Sequence, residues 1–249
     1  MTTPLYAIGD IHGQKAELDR VLKLIESDGG TDAKIVFLGD YTDRGPNSHA
    51  VLDTLIDGKA QGRDWIFLKG NHDRMFEWFM EVPPRSDPYM MVSLYWLHER
   101  LGGDTTLESY GVHVKGDRRA KDVHAEALAA VPQAHVDFLR SLQLTYETDD
   151  LFFAHAGIRP GVPLDQQDEE DLLWIRKEFH DATEPHPKLI VHGHTPIHEA
   201  THYGNRVNLD TAAGYGKPLT AAVFEGDRVF RLTEAGRRPL IRAGGVAAA

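Results

Sequence analysis

LYAIGDIHG (5–13), KIVFLGDYTDRG (34–45) and WIFLKGNHD (65–73) decide how this chain is read. Each opens on a short apolar run, the pattern of a buried strand closed by a turn signal. Each then turns at a glycine and supplies Asp, His or Asn, side chains that hold metal ions. Three such strands pool their ligands at one edge of a sheet. Two later strings, HAG (155–157) and HGHT (192–195), follow apolar runs in the same way.

Between the strands the apolar spacing turns helical. Leu18, Val21, Leu22 and Ile25 predict a helix over 14–28 that Gly29-Gly30 ends. Val51, Leu52, Leu55 and Ile56 predict another over 47–60, and a third is expected to open near Arg74. Strand–helix–strand units of this length imply parallel pairing with right-handed crossovers. Residues 75–145, rich in aromatics and Met, read as a helical insertion capping the core, with a charged loop at 113–122 and a helix pair over 123–142. Strands return at 144–155, 188–192, 205–210, 218–225 and 227–233, and a helix is expected over 168–180. The expected fold is α/β: a four-layer α-β-β-α sandwich of two mixed sheets over residues 1–235. A disordered Arg/Gly/Ala-rich tail is expected at 236–249.

The 249 residues carry no cysteine, so no disulfide or thiolate metal site forms, and the composition suits a reducing cytoplasm. The apolar start stops at Asp10 without a basic region, so a secretory signal is not expected. No run has the roughly 20 apolar residues of a membrane helix. A formal net charge of −11 disfavours non-specific nucleic-acid binding, which rests on Lys and Arg against phosphates. It does not disfavour a small phosphate site, because divalent cations reverse the local field. Oligomeric state is not legible.

Two divalent metals close together clamp the attacking and leaving oxygens of an in-line displacement at phosphorus. Asp10 and His12 suit one metal and Asp40 suits a bridge. Asn71, His155 and one histidine of HGHT suit the other. His72, beside Asn71, is the candidate general acid, and Asp43 is the partner expected to orient it and favour its charged form. Arg44 offers a planar fork to phosphate oxygens. Arg74 reads as a surface residue, as do the other scattered histidines, His49 and His135 among them.

Taken together, GD-x-HG, GD-x-x-DRG, GNH-[DE], HAG and GHT resemble the calcineurin-like metallophosphoesterases, and within them the phosphoprotein phosphatase branch of bacterial and phage type. The resemblance runs from about residue 5 to about 215, apart from 75–145. It implies Asp10 and His12 on the first metal, Asp40 as bridge, and Asn71, His155 and His194 on the second, with His192 a packing neighbour. Arg176, in DLLWIRKEF (171–179), resembles a second phosphate-binding arginine that follows a tryptophan. Glu is usual in eukaryotic relatives where Asp73 stands, and a second glycine where Ala156 stands.

The implied activity is hydrolysis of phosphoserine or phosphothreonine, phosphotyrosine included, by direct attack of a metal-bridging hydroxide. The alternative is a symmetrical diadenosine tetraphosphate hydrolase, and the third reading is an inactive phosphate-binding scaffold. The oxygen and nitrogen donor set suits manganese first, with iron or zinc as alternatives.

Overall fold

A computed structural model describes residues 3–90 and 94–242. In chain order the first third forms β1 (Leu5–Ile8), α1 (Lys15–Gly29), β2 (Lys34–Phe37), α2 (Ser48–Ala60), β3 (Trp65–Phe67) and α3 (Asn71–Phe79). Helices α4 (Gly103–Ser109), α5 (Ala120–Ala130) and α6 (Gln133–Arg140) follow. The second half forms β4 (Thr145–Glu147), β5 (Leu151–Ala154), α7 (Glu169–Trp174), α8 (Lys177–His180) and β6 (Leu189–His192). It continues through β7 (Thr201–His202), β8 (Arg206–Asn208), β9 (Ala221–Glu225), β10 (Arg228–Thr233) and β11 (Gly236–Pro239).

The strands make two mixed sheets, ordered β11-β10-β9-β1-β2-β3 and β4-β5-β6-β8-β7. In the first, β1, β2 and β3 run parallel, and β9 lies antiparallel to β1, with Leu5 opposite both Lys34 and Phe224. In the second, β5, β6 and β8 run parallel. Side chains alternate across a strand. Leu5 and Ala7 therefore join Val36, Phe153, Val191, Val207 and Phe224 in the apolar layer between the sheets. Tyr6, Ile8, Ile35 and Phe37 pack outward with Leu18, Val21, Ile25, Val51 and Leu55 of α1 and α2. On the far face, Phe152 and Ile190 pack with Leu172, Ile175 and Phe179. Helix, sheet, sheet, helix is the expected sandwich.

Four local readings change. Helix α3 opens at Asn71, not near Arg74, so the Asn71 and His72 side chains belong to its first turn. The helix expected over 168–180 breaks where Ile175 (φ −58°, ψ 140°) and Arg176 (φ −133°, ψ −87°) leave helical geometry. Helix α5 begins at Ala120, inside the expected charged loop. The tail expected to be disordered from Gly236 forms β11 as far as Pro239, held by Arg237 to Asp28 at 2.8 Å. The rest of that expectation, from residue 243 onward, lies outside the described residues. Within 75–145, Met75, Phe76, Trp96, Leu107, Val123 and Leu139 share one apolar cluster with α1 and α2, so the insertion extends the outer helical layer.

Candidate metal centre

Every parallel strand ends at the same place. Asp10 and His12 follow β1, Asp40 follows β2, Asn71 and His72 follow β3, His155 follows β5 and His194 follows β6. Carboxyl ends of parallel strands are where open α/β sheets bind ligands. The chain reaches this edge only by adopting strained turns. His12, Asp40, Asp43, Arg44 and His194 all have positive φ, between 47° and 73°. Such conformations cost about 1–3 kcal/mol each for residues with a side chain and cluster at functional sites. Gly70 and Gly193 permit the close approach: a Cβ at Gly70 would collide with the Asp40 carboxylate, and one at Gly193 with that of Asp10.

The buried polar groups are arranged for cations. His155 donates Nδ1–H to the Leu38 carbonyl at 2.8 Å, which leaves a lone pair on Nε2. That lone pair faces Asn71 Oδ1 at 3.0 Å and Asp40 Oδ1 at 3.5 Å. His12 repeats the pattern: Nδ1–H donates to the Thr42 carbonyl at 2.7 Å, and Nε2 lies 3.4 Å from Asp40 Oδ2. His194 Nδ1 lies 2.8 Å from Asn71 Oδ1. Acceptors facing acceptors repel, and a cation between them converts the repulsion into coordination. The single Asp40 carboxylate reaches both histidine groups, one through each oxygen. Asp10 receives the His194 backbone N–H at 3.0 Å, which ties the first sheet's ligand to the second sheet's.

Charge points the same way. Burial, then the charges of Asp210 and Asp40, push Asp10 well above the usual carboxylate range. Burial pushes Asp210 up to about 6. Burial, then the Arg44 cation, pushes His12 down to about 3 and keeps it neutral, as a ligand must be. The donor set therefore fits two divalent cations sharing Asp40.

Beside it stands a second unit. His72 Nδ1 and Asp43 Oδ2 are 2.7 Å apart. Trp96 Nε1 donates to that same Asp43 oxygen at 2.9 Å, and Thr106 Oγ1 donates to Asp43 Oδ1 at 2.7 Å. Asp43 was expected to favour the charged imidazole. Burial and then Arg44 instead push His72 well below its usual value, while burial pushes Asp43 up to about 8. Arg44 donates NH2–H to His72 Nε2 at 3.0 Å and reaches His12 Nε2 with its other terminal nitrogen. Its Nε is buried without a partner among the described residues, a donor free for an anion. Arg176 is exposed and donates to Thr195 Oγ1 at 3.1 Å, and its charge adds to the burial that lowers both His155 and His194.

His192 stays apart from the ligands: Nε2 accepts from Arg206 at 3.1 Å, and the ring packs on Phe179. Arg74, expected at the surface, is 1% exposed and lies against Asp87 and Glu170, each at 2.8 Å. The sequence reading also passed over Asp210, Trp96, Thr106 and the structural part played by Asp73. Of these only Asp210 carried a signal, since it closes the strand expected over 205–210 as Asp10 and Asp40 follow theirs.

A family model, that of the calcineurin-like phosphoesterases, matches residues 3–229. The chain belongs to that family. A bis(5'-nucleosyl)-tetraphosphatase PrpE [asymmetrical] of Anoxybacillus flavithermus is 28% identical over 237 residues, covering 86% of this chain and 87% of that one. A protein named as a serine/threonine-protein phosphatase of Caenorhabditis elegans is 44% identical over 71 residues, covering 28% of this chain and 19% of that one. A solved structure described as a diadenosine tetraphosphatase superposes with a TM-score of 0.60 at 22% identity, over 96% of this chain and 94% of that one. That last likeness concerns the fold. Among the described residues no helix is long and apolar enough to cross a membrane.

Proposed function

We propose that this metallophosphoesterase hydrolyses a phosphoric anhydride of a nucleotide polyphosphate, with a dinucleoside tetraphosphate as its substrate. Asp10, His12 and Asp40 would hold one divalent cation, and Asp40, Asn71, His155 and His194 the other; the thiolate-free donor set suits manganese first, with iron or zinc as alternatives. When bound, such a pair neutralises phosphate charge and lowers the pKa of water. The chain's own residues do the rest. Arg44 grips phosphate oxygens through its fork, aided by its free Nε, and Arg176 closes on them from the second sheet's loops. His72, protonated at Nε2 once Arg44 turns to the phosphate, gives that proton to the departing oxygen, with Asp43 holding its other nitrogen.

The observation that carries the substrate choice is a pair of exposed tyrosines beside the two groups of ligands. Tyr215, 61% exposed, lies under the Arg44 guanidinium, 5.0 Å from ring centre to Cζ. Tyr89, 54% exposed, stacks on Trp174, whose ring meets His194 edge-on at 5.9 Å. An aromatic face under a base contributes about 1–3 kcal/mol, and a dinucleotide has two bases to place. The names of the full-length relatives agree with this reading. The second reading, a phosphoserine and phosphothreonine monoesterase, is favoured by GDYTDRG and by the short phosphatase match.

Initial rates on diadenosine tetraphosphate and on a phosphothreonine peptide, both with manganese, separate the two. The expected result is faster dinucleotide turnover, with AMP plus ATP marking asymmetrical cleavage and ADP alone symmetrical cleavage. Faster peptide turnover overturns the proposal. Tyr215→Ala is expected to raise KM for the dinucleotide about tenfold while leaving a small aryl phosphate unaffected.

A further inference from the structure

Away from the centre, three more metal-binding side chains meet. His49 and Asp53 stand one turn apart on α2, so both project from one face. His135, in the first turn of α6, lies opposite them. His49 Nε2 is 3.4 Å from Asp53 Oδ2, His135 Nε2 is 3.0 Å from Asp53 Oδ1, and all three donor atoms fall within 4.8 Å of one another. We infer that His49, Asp53 and His135 form a third metal site, separate from the catalytic pair, that takes a zinc-like divalent cation.

The geometry suits the ion. Ligands about 2.0–2.1 Å from a tetrahedral zinc stand about 3.3 Å from one another; the 3.4 Å contact is to Asp53 Oδ2 and the 3.0 Å contact to Asp53 Oδ1, so the carboxylate turns to present one oxygen to the ion. Two imidazoles and a carboxylate suit zinc, copper or nickel rather than magnesium or calcium. Tyr110 fixes both rings: its hydroxyl lies 2.8 Å from His135 Nδ1, and its ring stacks on His49 at 4.7 Å and 20°. A hydrogen bond on the nitrogen that faces away from the metal is the usual way such a ring is oriented. His135 is buried, and burial holds its pKa below the usual value, so it is neutral when the ion arrives. The His49 and Asp53 side chains are 41% and 54% exposed, which leaves an entry path and room for water in the remaining position.

The site has a structural consequence. It joins α2 to α6 and to Tyr110, at the end of α4. The first turn of α2 also carries Ser48, whose hydroxyl accepts the Asp43 backbone N–H at 3.2 Å and bonds Thr106 Oγ1 at 3.0 Å. His49 N–H donates to Ser109 Oγ at 3.1 Å. A cation here braces the helices that back Asp43.

The test counts ions. Metal-stripped full-length protein and the His49→Ala and Asp53→Asn variants are dialysed against micromolar zinc, and bound zinc per chain is measured by plasma mass spectrometry. Wild type is expected to hold one more zinc than either variant, and its thermal midpoint in zinc to exceed theirs. Equal zinc content in wild type and both variants overturns the inference and leaves a hydrogen-bonded Asp–His pair. The difference of one does not depend on how many ions the catalytic centre holds, so failure here is distinct from failure of the proposed activity. Both substituted side chains are open to solvent, and folding is checked by circular dichroism.

Discussion

Asp73 is the test of how the centre is held in place. Its carboxylate is fully buried and accepts three backbone N–H groups: Asp40 at 2.7 Å and Gly70 at 2.9 Å on Oδ2, and Tyr41 at 3.0 Å on Oδ1. These bonds hold Asp40 at φ 53°, where its two oxygens face the two histidine groups. Asp73→Asn keeps the shape and one acceptor oxygen but turns an amide N–H against a backbone N–H. The Tyr41 or the paired N–H bonds are lost, and those that remain lose their charge assistance. One lost bond to a charged group costs about 1.5–3 kcal/mol, and the stranded buried donor adds to it. Removing a negative charge near Asp40 offsets part of that. The net expectation is about 2–3 kcal/mol. Urea unfolding of the metal-free protein measures it, so that metal binding does not enter, and a midpoint lowered by about 1 M is expected. An unchanged midpoint with an unchanged slope refutes the pinning role. In metal the same variant is expected to bind manganese more weakly, because Asp40 is then free to leave its strained turn.

Three further outcomes follow from the same geometry. His72→Asn should leave metal content intact and lower turnover by about 10²–10⁴ for an alkyl phosphate, whose leaving oxygen needs the proton, and less for an aryl phosphate; equal losses on the two substrates contradict the acid role. Arg74→Met strands the buried Asp87 carboxylate, which Arg74 holds at 2.8 Å, and should cost about 3–5 kcal/mol in chemical unfolding; a neutral result means the pair is not needed to seat residues 87–90. Asp40→Asn removes the carboxylate shared by both histidine groups and should abolish turnover, as should chelation of wild type, with manganese restoring only the latter; near-normal activity of the variant contradicts the site.

The candidate ligands were legible because each lies one to four positions past an apolar run, and a strand's end is a local signal. His12 and His194 could be placed at one centre from spacing and resemblance alone. What supports them was not legible. Trp96 and Thr106 reach Asp43 across 53 and 63 positions, from a stretch with no period to read. Arg74 looks like a helix-surface cation until Glu170, 96 residues later, arrives beside it. Charge composition misled at β11 as well. Arg237 belongs to an edge strand, where charged side chains are normal, and its partner Asp28 is 209 positions away. The break in the helix at 175–176 has a use that helical periodicity hides: it turns Arg176 toward Thr195, on the loop that carries His194.

Strand β1 lies between β2, met early in the chain, and β9, met near its end. During synthesis one flank of β1 therefore stands open until residues 221–225 leave the ribosome, with the backbone of Leu5–Ile8 unpaired on that side. Pairings so far apart in sequence close late and slowly. The loop bearing Asp10 is the continuation of that strand. Alignment of that loop with the rest of the centre therefore waits on a long-range pairing rather than on a local one.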